Sequence, residues 1–187
     1  MNLTEETDES LYSRFLTAGD EEDLRILLLR HREALTFFLY SYVRNAEDAE
    51  ELMLDSFAEV AAGRTMFAGR SSFKTWLFAI ARNKARMFLR KHRPVTVPLD
   101  ELPEQAAGPK ADPLGELIAD ERKQSLYRAM GELNPEEREL LHLVYLDEMS
   151  YEEAARVLGK SRKQIYRLAE RGREKMKKRM ADPEGAR

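Results

Sequence analysis

Nine Lys or Arg side chains and five aromatic ones share residues 61–95, a stretch without a single carboxylate. Arg64, Arg70, Lys74, Arg82, Lys84, Arg86, Arg90, Lys91 and Arg93 are interleaved there with Phe67, Phe73, Trp76, Phe78 and Phe88. Cationic groups hold phosphates and aromatic faces stack on unpaired bases, so this mixture suits a single-stranded nucleic acid. The chemistry is non-covalent. With no cysteine there is no thiol nucleophile, disulfide or thiolate metal site, and His31, His92 and His142 are far apart in sequence. No catalytic residue, metal ligand set or cofactor is expected.

A second cationic set lies near the C-terminus. Three capping signatures, Asn134 to Glu137, Ser150 to Glu153 and Ser161 to Gln164, each pair a cap oxygen with a residue able to reach back to the cap's own amide. They fix three helix starts. The last two leave a short helix from Tyr151 to Leu158, a turn at Gly159 and Lys160, and a helix from Arg162 to about Met180. Two helices so joined make a helix-turn-helix, with Ala155 small at the crossing and Gly159 free to turn. At about 100° per residue, Ile165, Leu168, Ala169, Gly172 and Met176 face inward while Lys163, Tyr166, Arg167, Glu170 and Arg171 face out. Such an outer face suits a major groove, where Arg reads guanine and Gln adenine in two-pronged fashion, each good pair giving about 1–3 kcal/mol of discrimination. The bland alternative is an exposed charged helix of a bundle; the caps, the small residues at the crossing and the basic face together favour DNA. The string AARVLGKS, Ala154 to Ser161, is one residue from a phosphate-binding loop, but it follows a capped helix instead of a strand and lacks the first glycine.

Helices must carry these residues, and helical periodicity with caps runs through most of the chain while strand alternation does not. Asp8 to Ala18 sets Leu11, Phe15 and Ala18 on one face, and Asp20 opens a longer stretch through Leu24, Leu27, Leu28, Leu35, Phe38, Leu39 and Tyr42. Asn45 with Asp48 caps a helix to about Ala62, with Leu52, Phe57 and Val60 as core candidates. Ser71 or Ser72 starts another from Phe73 to about His92, its apolar side formed by Phe73, Trp76, Leu77, Ile80 and Met87. Five of the seven prolines then fall in the aperiodic stretch that begins at Pro94, which reads as a tether. The fold class is therefore all-α: two small helical domains, 1–93 and 114–187, joined by a Pro-rich linker at 94–113, the second domain a helix-turn-helix.

Charge follows the same division. Residues 1–60 carry a net −10, residues 61–95 +9, residues 96–160 −8 and residues 161–187 +6, which the overall −3 conceals. Two basic surfaces for nucleic acid and two acidic surfaces for another partner, such as a basic protein, are implied. No apolar run approaches a membrane span and the N-terminus is polar and acidic, so a cytoplasmic protein is expected.

SYEEAARVLGKSRKQIYRLAERGREKM closely resembles the promoter-reading helix-turn-helix of the extracytoplasmic-function (ECF) group of bacterial sigma-70 family sigma factors. DAEELMLDSFAEVAA followed by FAGRSSFKTWLFAIARNKARMFLRKHR resembles domain two of that family. The resemblance implies a sigma factor that binds core RNA polymerase, recognises promoter DNA as duplex and as single strand, and in many relatives is held by an anti-sigma factor. By the same resemblance Asp48, Glu51, Leu52, Asp55 and Phe57 are the polymerase-binding candidates, although Leu52 and Phe57 suit a core equally well. The minus-10 candidates are Arg64, Phe67, Arg70, Ser71 and Ser72 in the loop where the family holds a flipped base, with Arg82, Asn83, Arg86 and Arg90 on the following helix. Arg82, Arg86 and Arg90, at steps of four, form one cationic stripe. Trp76 suits core packing better than base stacking. The minus-35 candidates are Arg162, Lys163, Gln164, Tyr166, Arg167 and Arg171, with Lys175, Lys177, Lys178 and Arg179 available to the DNA backbone.

The chain departs from the family pattern in places. Leu54 stands where Gln is usual, with burial as an alternative to a polymerase contact, Ala61 and Ala62 stand where larger residues are common, and Met87 replaces a frequent Asp. Three other functions are compatible with parts of the sequence: a dimeric duplex-binding regulator, a nucleotide hydrolase built on AARVLGKS, and a protein-binding adaptor. The first of them leaves the aromatic, acid-free stretch unexplained.

Overall fold

The computed structural model describes residues 6–92, Met130 and residues 133–181. The chain divides into two compact units, Met1–Arg90 and Lys91–Arg187. Every regular element among the described residues is helical. The expected linker, 94–113, and the expected start of the second domain at residue 114 lie outside the described residues.

The first unit comprises α1 (Asp8–Ala18), α2 (Glu21–Val43), α3 (Ala46–Ala61) and α4 (Phe73–Lys91). Thr7, Asp20 and Asn45 each accept a hydrogen bond from a first-turn amide, filling a donor that the helix itself leaves open. Gly19 closes α1 at φ 69°, in the left-handed region. The long α2 packs against both α1 and α3, and its Leu27, Leu35, Phe38 and Leu39 are fully buried.

α4 joins this group through large rings. Phe78 lies 5.2 Å from Phe38, and Phe73 5.3 Å from Tyr12, centroid to centroid. Burying one such ring stabilises the fold by about 1.5–3 kcal/mol. The apolar faces differ from expectation at three points. Tyr12 is buried in α1 while Ala18 is exposed, and Met87 of α4 is 49% exposed, its expected place taken by Phe78, Ala81 and Ala85. From Arg86 onward no residue of α4 is buried, so the helix outruns the neighbours that would have covered Met87.

Polar ties fix α1 on α2. Asp8 shares a 2.6 Å hydrogen bond with His31 Nε2 and accepts one of 2.9 Å from Arg30, while Arg14 bridges Glu6 and the buried Asp23. Burial pushes the Asp8 carboxyl up, but the bonds from His31 and Arg30 outweigh it and hold its pKa below the ordinary value. The Arg14 guanidinium likewise holds Asp23 down.

In the second unit α5 (Pro135–Leu141) widens into a π turn, His142–Leu146, and is followed by α6 (Tyr151–Leu158) and α7 (Arg162–Ala181). Asn134 caps α5 by accepting from the Glu137 amide at 2.9 Å, but the expected reciprocal bond is not made. The Glu137 carboxylate turns inward instead, almost fully buried, and receives Lys175 of α7 at 2.8 Å. Gly172 lets α7 approach α5 closely, since a Cβ there would stand 3.0 Å from Leu141 Cδ1.

The Asp8 ties make a pH prediction. A carboxyl whose folded pKa is depressed below 3.8 contributes stability that is complete above that value and is lost as pH falls through the folded pKa. Asp8→Asn is expected to unfold at lower denaturant than the parent at neutral pH, with the gap closing on acidification; a gap that is constant with pH would contradict this.

Candidate nucleic-acid interface

The helix-turn-helix is built from its caps. Ser150 and Glu153 complete a capping box at the start of α6. Gly159 turns the chain at φ 61°, where a side chain would be strained, and the Lys160 amide donates to the Ala155 carbonyl at 3.0 Å. The small residue buried in α6 is Ala154, not Ala155, because the inner face runs through Ala154, Val157 and Leu158 at helical spacing. In α7 Ile165, Leu168, Ala169, Gly172 and Met176 are buried and Lys163, Tyr166, Arg167, Glu170 and Arg171 exposed, as periodicity predicts.

Within that exposed face the structure separates committed side chains from open ones. Arg162 lies 3.5 Å from Glu152, and a hydrogen bond with Tyr166 holds its pKa above the ordinary value. The Tyr166 ring meets Tyr151 edge-on at 5.4 Å. Arg171 stands 3.8 Å from the buried Glu137. Gln164 Oε1 accepts from the Ser161 amide at 2.8 Å and from its hydroxyl at 3.0 Å. Two-pronged recognition of adenine uses both the oxygen and the nitrogen of a Gln amide. Gln164 Oε1 is thus engaged in the cap of α7 in this structure. Lys163 and Arg167, one turn apart, have no side-chain partner among the described residues.

In the first unit the loop between α3 and α4 is pinned from several sides. Thr65 donates to Glu59 at 2.6 Å, and Lys84 of α4 reaches the same carboxylate at 3.0 Å. The Thr65 bond is the main cause of a lowered Glu59 pKa. Phe67 is half-buried among rings, 5.2 Å from Trp76, 6.0 Å from Tyr12 and 6.1 Å from Phe73. Ser72 is the cap of α4: its hydroxyl accepts from the Thr75 amide at 3.2 Å. Ser71 donates to the Ser72 carbonyl at 3.2 Å. Arg64, Arg70, Asn83, Arg86 and Arg90 are exposed.

Arg82 requires a correction. It is only 6% exposed, because Phe78 four residues before it and Ala85 three after are both fully buried and draw that face inward. The exposed stripe on α4 is therefore Asn83, Arg86, Met87 and Arg90. Met66, 86% exposed in the loop, was given no role by the sequence.

On α3 the expected docking set also divides. Leu52 and Phe57 are 6% and 3% exposed and belong to the core, which removes them as surface contacts. Glu51 and Asp55 are exposed and Asp48 is half-buried. Leu54, for which burial is one alternative, is 51% exposed. Helical spacing sets it beside Glu47, Glu51, Asp55 and Ala58, a pattern already present in the sequence.

Residues 27–95 match the family model described as Sigma-70 region 2, and residues 123–176 match that of Sigma-70, region 4, together about two thirds of the chain. The chain belongs to the sigma-70 family of sigma factors. It is similar to the ECF RNA polymerase sigma-E factor of Salmonella typhimurium, 27% identical over 176 residues that cover 88% of this chain and 91% of the relative. The RNA polymerase sigma-H factor of Pseudomonas aeruginosa is 28% identical over 180 residues, covering 90% and 93%. Among solved structures CnrH, in complex with the cytosolic domain of CnrY, superposes with a TM-score of 0.68 at 27% identity, covering 96% of this chain and 99% of that one. This sigma factor, of the ECF group, works with core RNA polymerase at promoter DNA and directs promoter-specific transcription initiation. No helix among the described residues is long and apolar enough to cross a membrane.

The assignment of Gln164 is testable in a selection from promoters randomised across the minus-35 element. Gln164→Glu keeps an acceptor for Ser161 and is expected to leave the base preference at every position unchanged. Ser161→Ala is expected to lower stability by about 1 kcal/mol. A preference lost at one base position in Gln164→Glu would show that this side chain reads DNA.

Proposed function

We propose that this sigma factor divides promoter recognition between its two domains, 1–93 and 114–187, across a linker at 94–113. In the second domain Lys163 and Arg167 enter the major groove of the minus-35 duplex. Arg162, Tyr166 and Arg171 border them and contact the DNA backbone. In the first domain Arg64, Phe67, Arg70 and Ser71 hold the non-template strand of the minus-10 element, with Ser72 shaping the loop. Asn83, Arg86 and Arg90 track its phosphates along α4. Asp48, Glu51 and Asp55, with Leu54 among them, form the surface that meets core polymerase.

One observation carries the proposal. Exposed cations surround a partly buried cluster of rings in a segment that holds no acid. Each phosphate contact to a single strand adds about 0.7 to the salt slope of binding, and each stacked base contributes about 1–3 kcal/mol. Held on the unpaired strand, that energy lowers the free energy of the open promoter. The chain itself makes and breaks no bond, catalysis belonging to the polymerase, and it acts in the cytoplasm. CnrH is in complex with the cytosolic domain of CnrY; by analogy a protein partner binds this chain, and the family resemblance makes an anti-sigma factor that partner.

Two variants assembled with core polymerase test the division. Arg167→Ala is expected to weaken binding to a fully paired promoter by about 5- to 150-fold and to leave opening on a premelted template intact. The double variant Arg86→Ala, Arg90→Ala is expected to reduce the salt slope on the premelted strand by about 1.4. Equal impairment of the premelted template by Arg167→Ala would contradict the division.

A further inference from the structure

We propose that α1 is a working part of the strand-capturing surface, with Glu9 and Tyr12 as its positioning residues; the inference rests on the minus-10 role given above to the loop between α3 and α4. α1 lies before the region matched by the family model, residues 27–95. It nevertheless touches the capture loop before, within and after its course.

Before the loop, the Tyr12 hydroxyl donates to the carbonyl of Val60, near the end of α3, at 3.4 Å. Within it, the Tyr12 ring meets Phe67 edge-on at 6.0 Å and 77°. After it, Glu9 Oε1 accepts the backbone N–H of Phe73, the first residue of α4, at 2.7 Å across 64 positions of sequence. The first turn of a helix leaves amide donors unfilled. In α4 the Ser72 hydroxyl fills one and a carboxylate from another helix fills a second. The sign of that carboxylate also suits the positive end of the helix.

α1 is itself held. Asp8 is tied to His31 and Arg30 of α2, and Arg14 to the buried Asp23. A strut tied to α2 at its first residue and at its middle therefore determines where Phe67 sits, and with it the neighbouring Met66, which stands 86% exposed. Met66 is thereby presented to the strand as an apolar side chain of the kind that wedges against unstacked bases. Preorganisation of this sort removes the ordering that a loose loop would undergo on binding, and so acts on strand capture while leaving duplex reading alone.

The chain's single tryptophan, Trp76, lies 5.4 Å from Tyr12 and 5.2 Å from Phe67, so its fluorescence reports on this cluster. The experiment compares the full chain and its variants, assembled with core polymerase, on a template with an unpaired minus-10 strand and on a duplex minus-35 fragment. Glu9→Ala is expected to bind the unpaired strand about five-fold more weakly, to leave duplex binding unchanged and to shift Trp76 emission in the free protein. Glu9→Gln keeps an acceptor oxygen and is expected to restore both strand binding and Trp76 emission. Tyr12→Leu, which removes the ring, is expected to reproduce the selective loss.

Equal weakening on both templates would mark α1 as ordinary scaffold and overturn the proposal. So would wild-type strand binding in Glu9→Ala and Tyr12→Leu while Phe67→Ala and Arg70→Ala are impaired, a result that leaves the minus-10 role of the loop standing. If Phe67→Ala and Arg70→Ala also bind the unpaired strand normally, that role fails and the role of α1 with it.

Discussion

The cations best placed to meet nucleic acid are those not already engaged by the protein's own carboxylates. An exposed ion pair contributes only about 0–1 kcal/mol to stability, yet each one occupies a charge that a phosphate could use. The acid-free segment meets this constraint by composition, and carboxylates reach it from its margins. Glu59 takes Lys84 and Thr65, and Glu9 takes a backbone amide at the start of α4. Arg86 and Arg90 remain exposed beyond their reach. The helix-turn-helix follows the same rule, since the buried Glu137 draws Lys175 and Arg171 toward α5 while Lys163 and Arg167 stay open at the start of α7.

A surface of like charges needs rigidity from another source, and here it comes from rings and caps. Phe73 and Phe78 anchor one side of α4 while Asn83, Arg86 and Arg90 occupy the other, so a single helix links core packing to the face proposed to bind the strand. Tyr12, Phe67, Phe73 and Trp76 extend that core outward until two of them are only half-buried. In the second unit, reciprocal caps at Ser150 and Ser161 set the ends of α6 and α7 around Gly159. The surfaces proposed to meet DNA are thereby held by the protein's own contacts, which would limit the ordering required on binding.

Much of this was legible in the sequence. Periodicity gave the inner and outer faces of α7 residue by residue, and side-chain oxygens marked the starts of α2 and α3. The acid-free stretch was visible as a count. What escaped was mostly a matter of a third element. Arg82 is cationic and sits at a step of four from Arg86, but the burial of Phe78 and Ala85 decides where its face points. Gln164 satisfies two patterns, cap and reader, and only geometry shows which atom is engaged. Glu9 and Phe73 are 64 positions apart, a contact no local pattern encodes. Leu54 is the exception, since its acidic neighbours at helical spacing already marked it as exposed.

The central claim is that the first domain binds bases that have left the duplex. It is tested most directly with the unaltered chain assembled on core polymerase, by measuring affinity for two promoters identical in sequence, one paired throughout and one with an unpaired minus-10 non-template strand. The account predicts tighter binding to the unpaired template, with an advantage that persists when the minus-35 element is removed from both. Equal affinity for the two templates would contradict it.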